Sequence, residues 1–344
     1  MSETLLPTTV VGSYSVPEWL ERAKTDFHQH RISRTSINEI YEIAIKAALK
    51  DQERAGIDIV SDGELRRDND IDYFLERLPG IELPALAKVH YYDYYDATVR
   101  ARIPEANDAS QLRLVDDFLF TREQTDRPIK FSFTGPFSLA KRIRNEAYAQ
   151  ADDLVFAIAR QLNHEARALA ASGAALLQID EPFLAGYPEA VALAVKAINL
   201  VVEGVDAEWA VHICYGNRHA RPAWEGHYDF LFPAILEADI DQLVLEFARK
   251  GYDDVALFKR YAPAFKLGLG VIDVKSEAVE TADLVASRVE RAASIVGADR
   301  LVVNPDCGLR HLPAKVALAK LRAMNAGAAI ARARVRGVTL SGRG

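Results

Sequence analysis

Eight short apolar runs, mostly separated by stretches of helical periodicity, constrain this chain more than any other feature. They cover residues 8–14, 57–64, 129–136, 175–182, 209–215, 243–248, 265–272 and 300–304. Most are rich in β-branched or aromatic residues, are followed by Gly, Pro, Asn or Asp, and are too short for helices. Between them apolar residues return every three or four positions. Ile37, Ile40, Tyr41, Ala44, Ala47 and Ala48 mark a helix from Ser36 to Ala55, closed by Gly56. Further helices are expected over residues 152–171, 188–202, 230–238, 277–296 and 313–333. Strands alternating with helices imply an α/β fold with parallel staves, and eight of them imply a (β/α)8 TIM barrel. Such barrels take roughly 250 residues. The chain has 344, so one catalytic barrel over 1–344 is expected to carry an insertion between strands 2 and 3, about residues 65–128. That stretch holds Tyr91, Tyr92, Tyr94 and Tyr95 and an expected extra strand over 98–103. The tyrosines suit either an accessory hairpin packed on the barrel or a stacking surface for a flat molecule.

Composition narrows the function. The net charge is −7, and no basic stripe gathers the lysines and arginines, which argues against a nucleic-acid partner. No apolar run approaches the ~20 residues that span a bilayer, and residues 1–6 lack the pattern of a secretory signal. Two cysteines far apart in sequence do not make a disulfide framework. A reducing, cytoplasmic setting is the expectation. Small-molecule substrates are the expected partners, with a homodimer as the expected assembly if there is one.

The two cysteines lie where a barrel does its chemistry. His212 and Cys214 are two apart in an apolar run, so a strand would send both to one face. Cys307 follows another apolar run, in Asn304-Pro305-Asp306-Cys307-Gly308. Glu246 interrupts a third, and a buried carboxylate is costly unless it is paired or binds metal. One imidazole, two thiols and one carboxylate form a tetrahedral zinc set. Barrel active sites are built at the C-terminal ends of the strands. Ser13, Glu64, Asp180, His212, Cys214, Glu246 and Cys307 all fall there, seven groups from six runs.

At these residues the chain resembles the cobalamin-independent methionine synthase family, in its catalytic C-terminal barrel. The motifs that carry the resemblance are Val11-Gly12-Ser13-Tyr14, Asp62-Gly63-Glu64, Thr134-Gly135-Pro136, Ile179-Asp180-Glu181-Pro182, His212-Ile213-Cys214-Tyr215, Glu246 and Asn304-Pro305-Asp306-Cys307-Gly308-Leu309. They extend over nearly the whole chain. The resemblance implies an activity like that of 5-methyltetrahydropteroyltriglutamate–homocysteine S-methyltransferase. It implies zinc at His212, Cys214, Glu246 and Cys307, and homocysteine held by Gly12, Ser13, Glu64 and Asp180. Two features depart from the family's large members. They carry a second, N-terminal barrel that helps hold the folate tail, which leaves a methyltetrahydrofolate or a corrinoid as the donor here. They also have a histidine, proposed as a proton donor, after a Val-x-Asp-x motif. Here Val271-Ile272-Asp273-Val274 leads to Lys275, which makes Lys275 a candidate catalytic residue.

Other readings remain at this stage. A zinc-bound thiol other than homocysteine, such as coenzyme M, would give epoxide–thiol ligation. A non-catalytic zinc protein would need a closed site, and a metal-free decarboxylase barrel would give the thiols no shared role. Individually, Glu246 could be an inward charge paired with an arginine, Lys275 a rim salt bridge, and Ser13 a helix cap. His219, His227 and His311 read as solvated or supporting groups in loops near the mouth.

Overall fold

The computed structural model describes residues 4–85, 87–105 and 112–337. Residues 86 and 106–111 of the expected insertion lie outside that set. Six strands, Lys130–Thr134, Leu176–Asp180, Glu208–Ile213, Gln242–Leu245, Lys266–Gly270 and Leu301–Asn304, pair in that order, every one parallel to its neighbour. Single parallel bridges complete the ring. Thr8 pairs with Val303, Thr9 with Ile59, and Val60 with Ile129. The first two runs therefore act as short staves between the last strand and the third, which closes an eight-stave barrel. Inside it, Val11, Ala210 and Val244 form a small apolar cluster of their own. The larger core lies mainly between staves and helices.

Local chemistry explains the helix boundaries. Arg34–Ala55 starts where the Ser33 hydroxyl accepts the Ser36 N–H at 3.1 Å, and stops at Gly56 in the left-handed region with φ 80°. Ala151–Ala171, Val191–Val202 and Ala314–Val335 occupy the expected places. Two expectations are corrected. Residues 230–238 form not an α-helix but two 3-10 turns, Tyr228–Leu231 and Ala234–Glu237. Pro233 lies between them; it has no N–H to give and pushes Phe232 into an extended conformation. The helix expected from 277 begins only at Ala282, capped by Thr281. The Glu280 carboxylate is drawn instead to the Asp273 N–H and the Lys320 ammonium, both at 2.9 Å.

Between the second and third staves lie the helices Asp72–Leu75 and Leu114–Arg122, the latter packed on Ala151–Ala171. The expected extra strand is shorter and earlier, Ala97–Val99. It pairs antiparallel with Ile81–Glu82 and parallel with Ile143–Asn145, which follows the third stave. The insertion is thereby tied to the barrel's C-terminal end. A helix absent from the sequence reading, Glu18–His28, follows the first stave. No helix among the described residues is long and apolar enough to cross a membrane.

Candidate active site

His212 and Asp180 end neighbouring strands, paired in register. The His212 Nδ1 lies 3.1 Å from the Val244 carbonyl oxygen. A carbonyl only accepts, so Nδ1 carries the proton and Nε2 presents a lone pair. That Nε2 is buried and has no hydrogen-bond partner. Cys214, two residues on, places its Sγ 3.5 Å from the Cys307 Sγ, and both are free thiols. Ligand atoms of His212, Cys214 and Cys307 all lie within 4.8 Å of one another. Two sulfurs bound to one tetrahedral zinc at ~2.3 Å would stand about 3.8 Å apart, so the donor set fits the ion. The proximity of Cys214, followed by burial, raises Cys307 well above an ordinary thiol. Without a cation Cys307 resists ionisation.

Glu246 is completely buried, but its carboxylate is engaged elsewhere. Oε2 lies 2.9 Å from the Lys275 Nζ, and Oε1 lies 3.4 Å from the Arg249 guanidinium. The histidine and two thiols are thus brought together, while the structure seats Glu246 in an ion pair beside them. Burial opposes the Lys275 charge, yet Glu246, Cys307 and Cys214 together raise its pKa above the ordinary lysine value. Asp306 welds the two loops. Its carboxylate accepts the backbone N–H groups of Phe247 at 2.9 Å, Ala248 at 2.8 Å and Arg249 at 3.0 Å.

A cavity of about 290 Å³ opens above the thiols, with Ser13, Glu64, Asp180, His212, Cys214 and Cys307 in its wall. Asp180 accepts the Gln178 amide at 2.7 Å, and its carboxyl is pushed up to about 7, first by burial and then by Glu64. Glu64 sits in the left-handed region (φ 56°), accepts the Ser132 hydroxyl at 2.8 Å and pairs with Arg67 at 3.2 Å. Gly12 permits that approach: a Cβ there would overlap Glu64 Oε1 and stand 2.9 Å from Ser132 Oγ. Gly308 does the same for Ser13, whose hydroxyl a Cβ would overlap. Gly12, Ser13, Glu64 and Asp180 thus gather beside the thiols.

Residues 6–330 match the family described as the cobalamin-independent synthase catalytic domain. The chain belongs to this family. As a cobalamin-independent synthase it is an enzyme of the methyltransferase class. A methionine synthase of Saccharolobus solfataricus is 35% identical over 333 residues, covering 95% of both chains. One of Sulfurisphaera tokodaii is 33% identical over 329 residues, covering 95% of this chain and 93% of its own. A solved B12-independent methionine synthase from Shewanella, in complex with selenomethionine, superposes with a TM-score of 0.83 at 29% identity, covering 97% of this synthase and 100% of that chain.

Sequence reasoning missed several residues of the synthase cavity. Arg67, Asp70, Arg142, Arg218, Trp224 and Arg310 line it, but none interrupts an apolar run, so no strand-end signal marks them. Asn217 links the two cysteine loops by donating to the Gly308 carbonyl at 3.0 Å. The loop histidines are accounted for by neighbours. His227 meets Asp254 at 3.0 Å, and His311 accepts the His219 N–H at 3.2 Å beside the Tyr92 ring.

Proposed function

We propose that this synthase is a zinc-dependent methyltransferase that converts homocysteine to methionine. The observation that carries the reading is the lone buried Nε2 of His212 beside two free thiols, on the floor of a cavity whose wall also holds the Glu64 and Asp180 carboxylates. His212, Cys214 and Cys307 would hold the ion, and Glu246, ion-paired with Lys275 beside them, would be the fourth ligand. Zinc, when bound, would supply the positive charge that makes the incoming thiol a thiolate at neutral pH.

The chain's own groups do the positioning. Asp180 and Glu64 accept from the substrate ammonium, and the Ser13 hydroxyl with neighbouring backbone N–H groups donates to its carboxylate. Charge-assisted bonds of this kind are roughly twice as strong as neutral ones, and they fix the sulfur for in-line attack. The sulfur lone pair forms the new S–C bond as the methyl–donor bond breaks, and that electron pair stays on the donor atom. Lys275 compensates the buried Glu246 charge through their 2.9 Å ion pair. Two carboxylates at the thiol end favour an amino-acid thiol over a sulfonated one such as coenzyme M. Both cysteines being free thiols supports a reducing, cytoplasmic setting. The motifs' distribution around one ring of staves supports a single catalytic barrel with residues 65–128 as its insertion.

The test pairs metal analysis with product analysis. About one zinc per chain, and methionine from homocysteine with a methylated folate or methylated corrinoid, are expected. Zinc-loaded protein that forms no methionine with either donor would remove the proposal.

A further inference from the structure

A layer of polar side chains lies inside the barrel beneath the cavity, and the thiol chemistry makes no use of it. On the third stave Lys130, Ser132 and Thr134 alternate with Phe131 and Phe133. The phenylalanines belong to the core between staves and helices, where Phe131 meets Phe118 edge-on, so the residues between them face the bore. On the next stave Gln178 pairs with Ser132 in register, two residues below Asp180 and on the same face. Gln178 is fully buried, and its Nε2 donates to the Asp180 carboxylate and to the Val11 carbonyl, both at 2.7 Å. A carbonyl only accepts, so the Val11 bond fixes which end of the amide is the nitrogen. The opposite end, Oε1, is buried without a partner, and so is the Lys130 Nζ. Lys130 pairs with Leu176, which puts it diagonally below Gln178 on the neighbouring stave. Diagonal neighbours on adjacent strands, about 7–8 Å apart, are within reach of long side chains. The charges that act on Lys130 are Asp180 and Glu64, and burial still lowers its pKa to about 7.

Leaving a buried acceptor unmet costs about 1–3 kcal/mol, so the orientation of Gln178 calls for a donor at Oε1. Lys130 is such a donor, and a bridging water makes the link nearly as well as a direct bond. Resting on the methyl-transfer reading above, we propose that Gln178 is a positioning residue for the substrate ammonium, held in its orientation by Lys130 across one water. Gln178 lies below the cavity wall and acts through Asp180, whose carboxylate it aims at the amine. Lys130 serves as an N–H donor, a role its neutral amine fills as well as its ammonium. The layer therefore governs affinity for the amino acid and not the rate of methyl transfer.

The test titrates zinc-loaded protein by calorimetry with L-methionine and with 4-(methylthio)butyrate, the same molecule without its ammonium. At about pH 8 Lys130 is mostly uncharged, so a loss reports the hydrogen bond and not the charge. The parent protein should bind methionine at least about tenfold more tightly than the analogue. Gln178→Leu should weaken methionine about tenfold and leave the analogue within about twofold. Lys130→Met should act in the same direction by a smaller factor, and Lys130→Gln, which keeps an N–H donor, should recover part of that loss. The double variant should lose no more than Gln178→Leu alone, because the two side chains act as one unit. In turnover, Gln178→Leu should raise the KM for homocysteine and leave kcat within about twofold. Should Gln178→Leu fail to fold, Lys130→Met decides by the same ratio of methionine to analogue. Equal losses for both ligands, unchanged methionine affinity in the variants, or losses that add in the double variant would each overturn the proposal. A parent protein that does not distinguish the two ligands would remove the amine site and this proposal with it. Zinc spectroscopy with homocysteine added reports thiol activation separately: if a new sulfur still enters the metal shell of Gln178→Leu or Lys130→Met, the methyl-transfer reading stands whatever the outcome here.

Discussion

The floor and the rim of one cavity follow opposite rules. On the floor, polar groups from the stave ends are fitted to one another: His212 donates to Val244, Glu64 takes Ser132 and Arg67, and Glu246 takes Lys275 and Arg249. What is left over there is a lone pair and two thiols, all electron donors, as a metal requires. On the rim, Arg142 and Arg218, from loops that follow two of the staves, leave N–H groups over. One cavity therefore leaves lone pairs over at its floor and N–H groups over at its rim.

The largest expected effect lies on the floor. Replacing His212 by Ala or Cys307 by Ser removes one of three clustered donors. Zinc affinity, measured by chelator competition, should fall by at least about 100-fold. A variant that keeps stoichiometric zinc through that competition would break the contrast. Next comes Lys275→Met, which strands the buried Glu246 charge. Breaking such a pair costs about 3–5 kcal/mol. Denaturant unfolding should show that loss in metal-free protein and a clearly smaller one with zinc, because the ion can take the carboxylate. Equal losses in both forms would mean that Glu246 never reaches the metal.

Asp180→Asn should weaken homocysteine binding by about 1.5–3 kcal/mol, the range for a bond to a charged group. Calorimetry should show no matching loss for 4-mercaptobutyrate, which lacks the ammonium. A parallel loss would place Asp180 elsewhere than at the amine. The smallest effect, taken per pH unit, lies within the barrel wall. Lys130 is fully buried, its Nζ has no partner, and burial lowers its pKa to about 7. Between about pH 7 and 10.5 the unfolded chain therefore holds a proton that the folded chain lacks, so stability should rise with pH across that window and be lowest below it. The slope is at most about 1.4 kcal/mol per pH unit. Lys130→Met should flatten it, and an unchanged slope would mean that Lys130 does not cause it.

How much was legible follows the same division. Staves carry an apolar pattern, so a His, a Cys or a Glu at a strand end stands out against it, and the barrel's geometry brings such ends together. His212, Cys214, Cys307, Glu64 and Asp180 were found that way. The Lys275–Glu246 contact was not, because it depends on how two loops fold over each other and not on any period along the chain. The rim was the least legible. Arg142 and Arg218 lie in polar surroundings where an arginine is ordinary, and only their proximity to Tyr94 in space distinguishes them. In the helices, capping by Thr281 and the break at Pro233 are local signals that periodicity alone overlooked.

Zinc X-ray absorption with and without homocysteine tests the central claim most directly. Thiol activation at the metal requires a shell of two sulfurs to become one of three when homocysteine is added, with loss of an oxygen neighbour if Glu246 leaves. A sulfur count that stays at two under saturating homocysteine would contradict it.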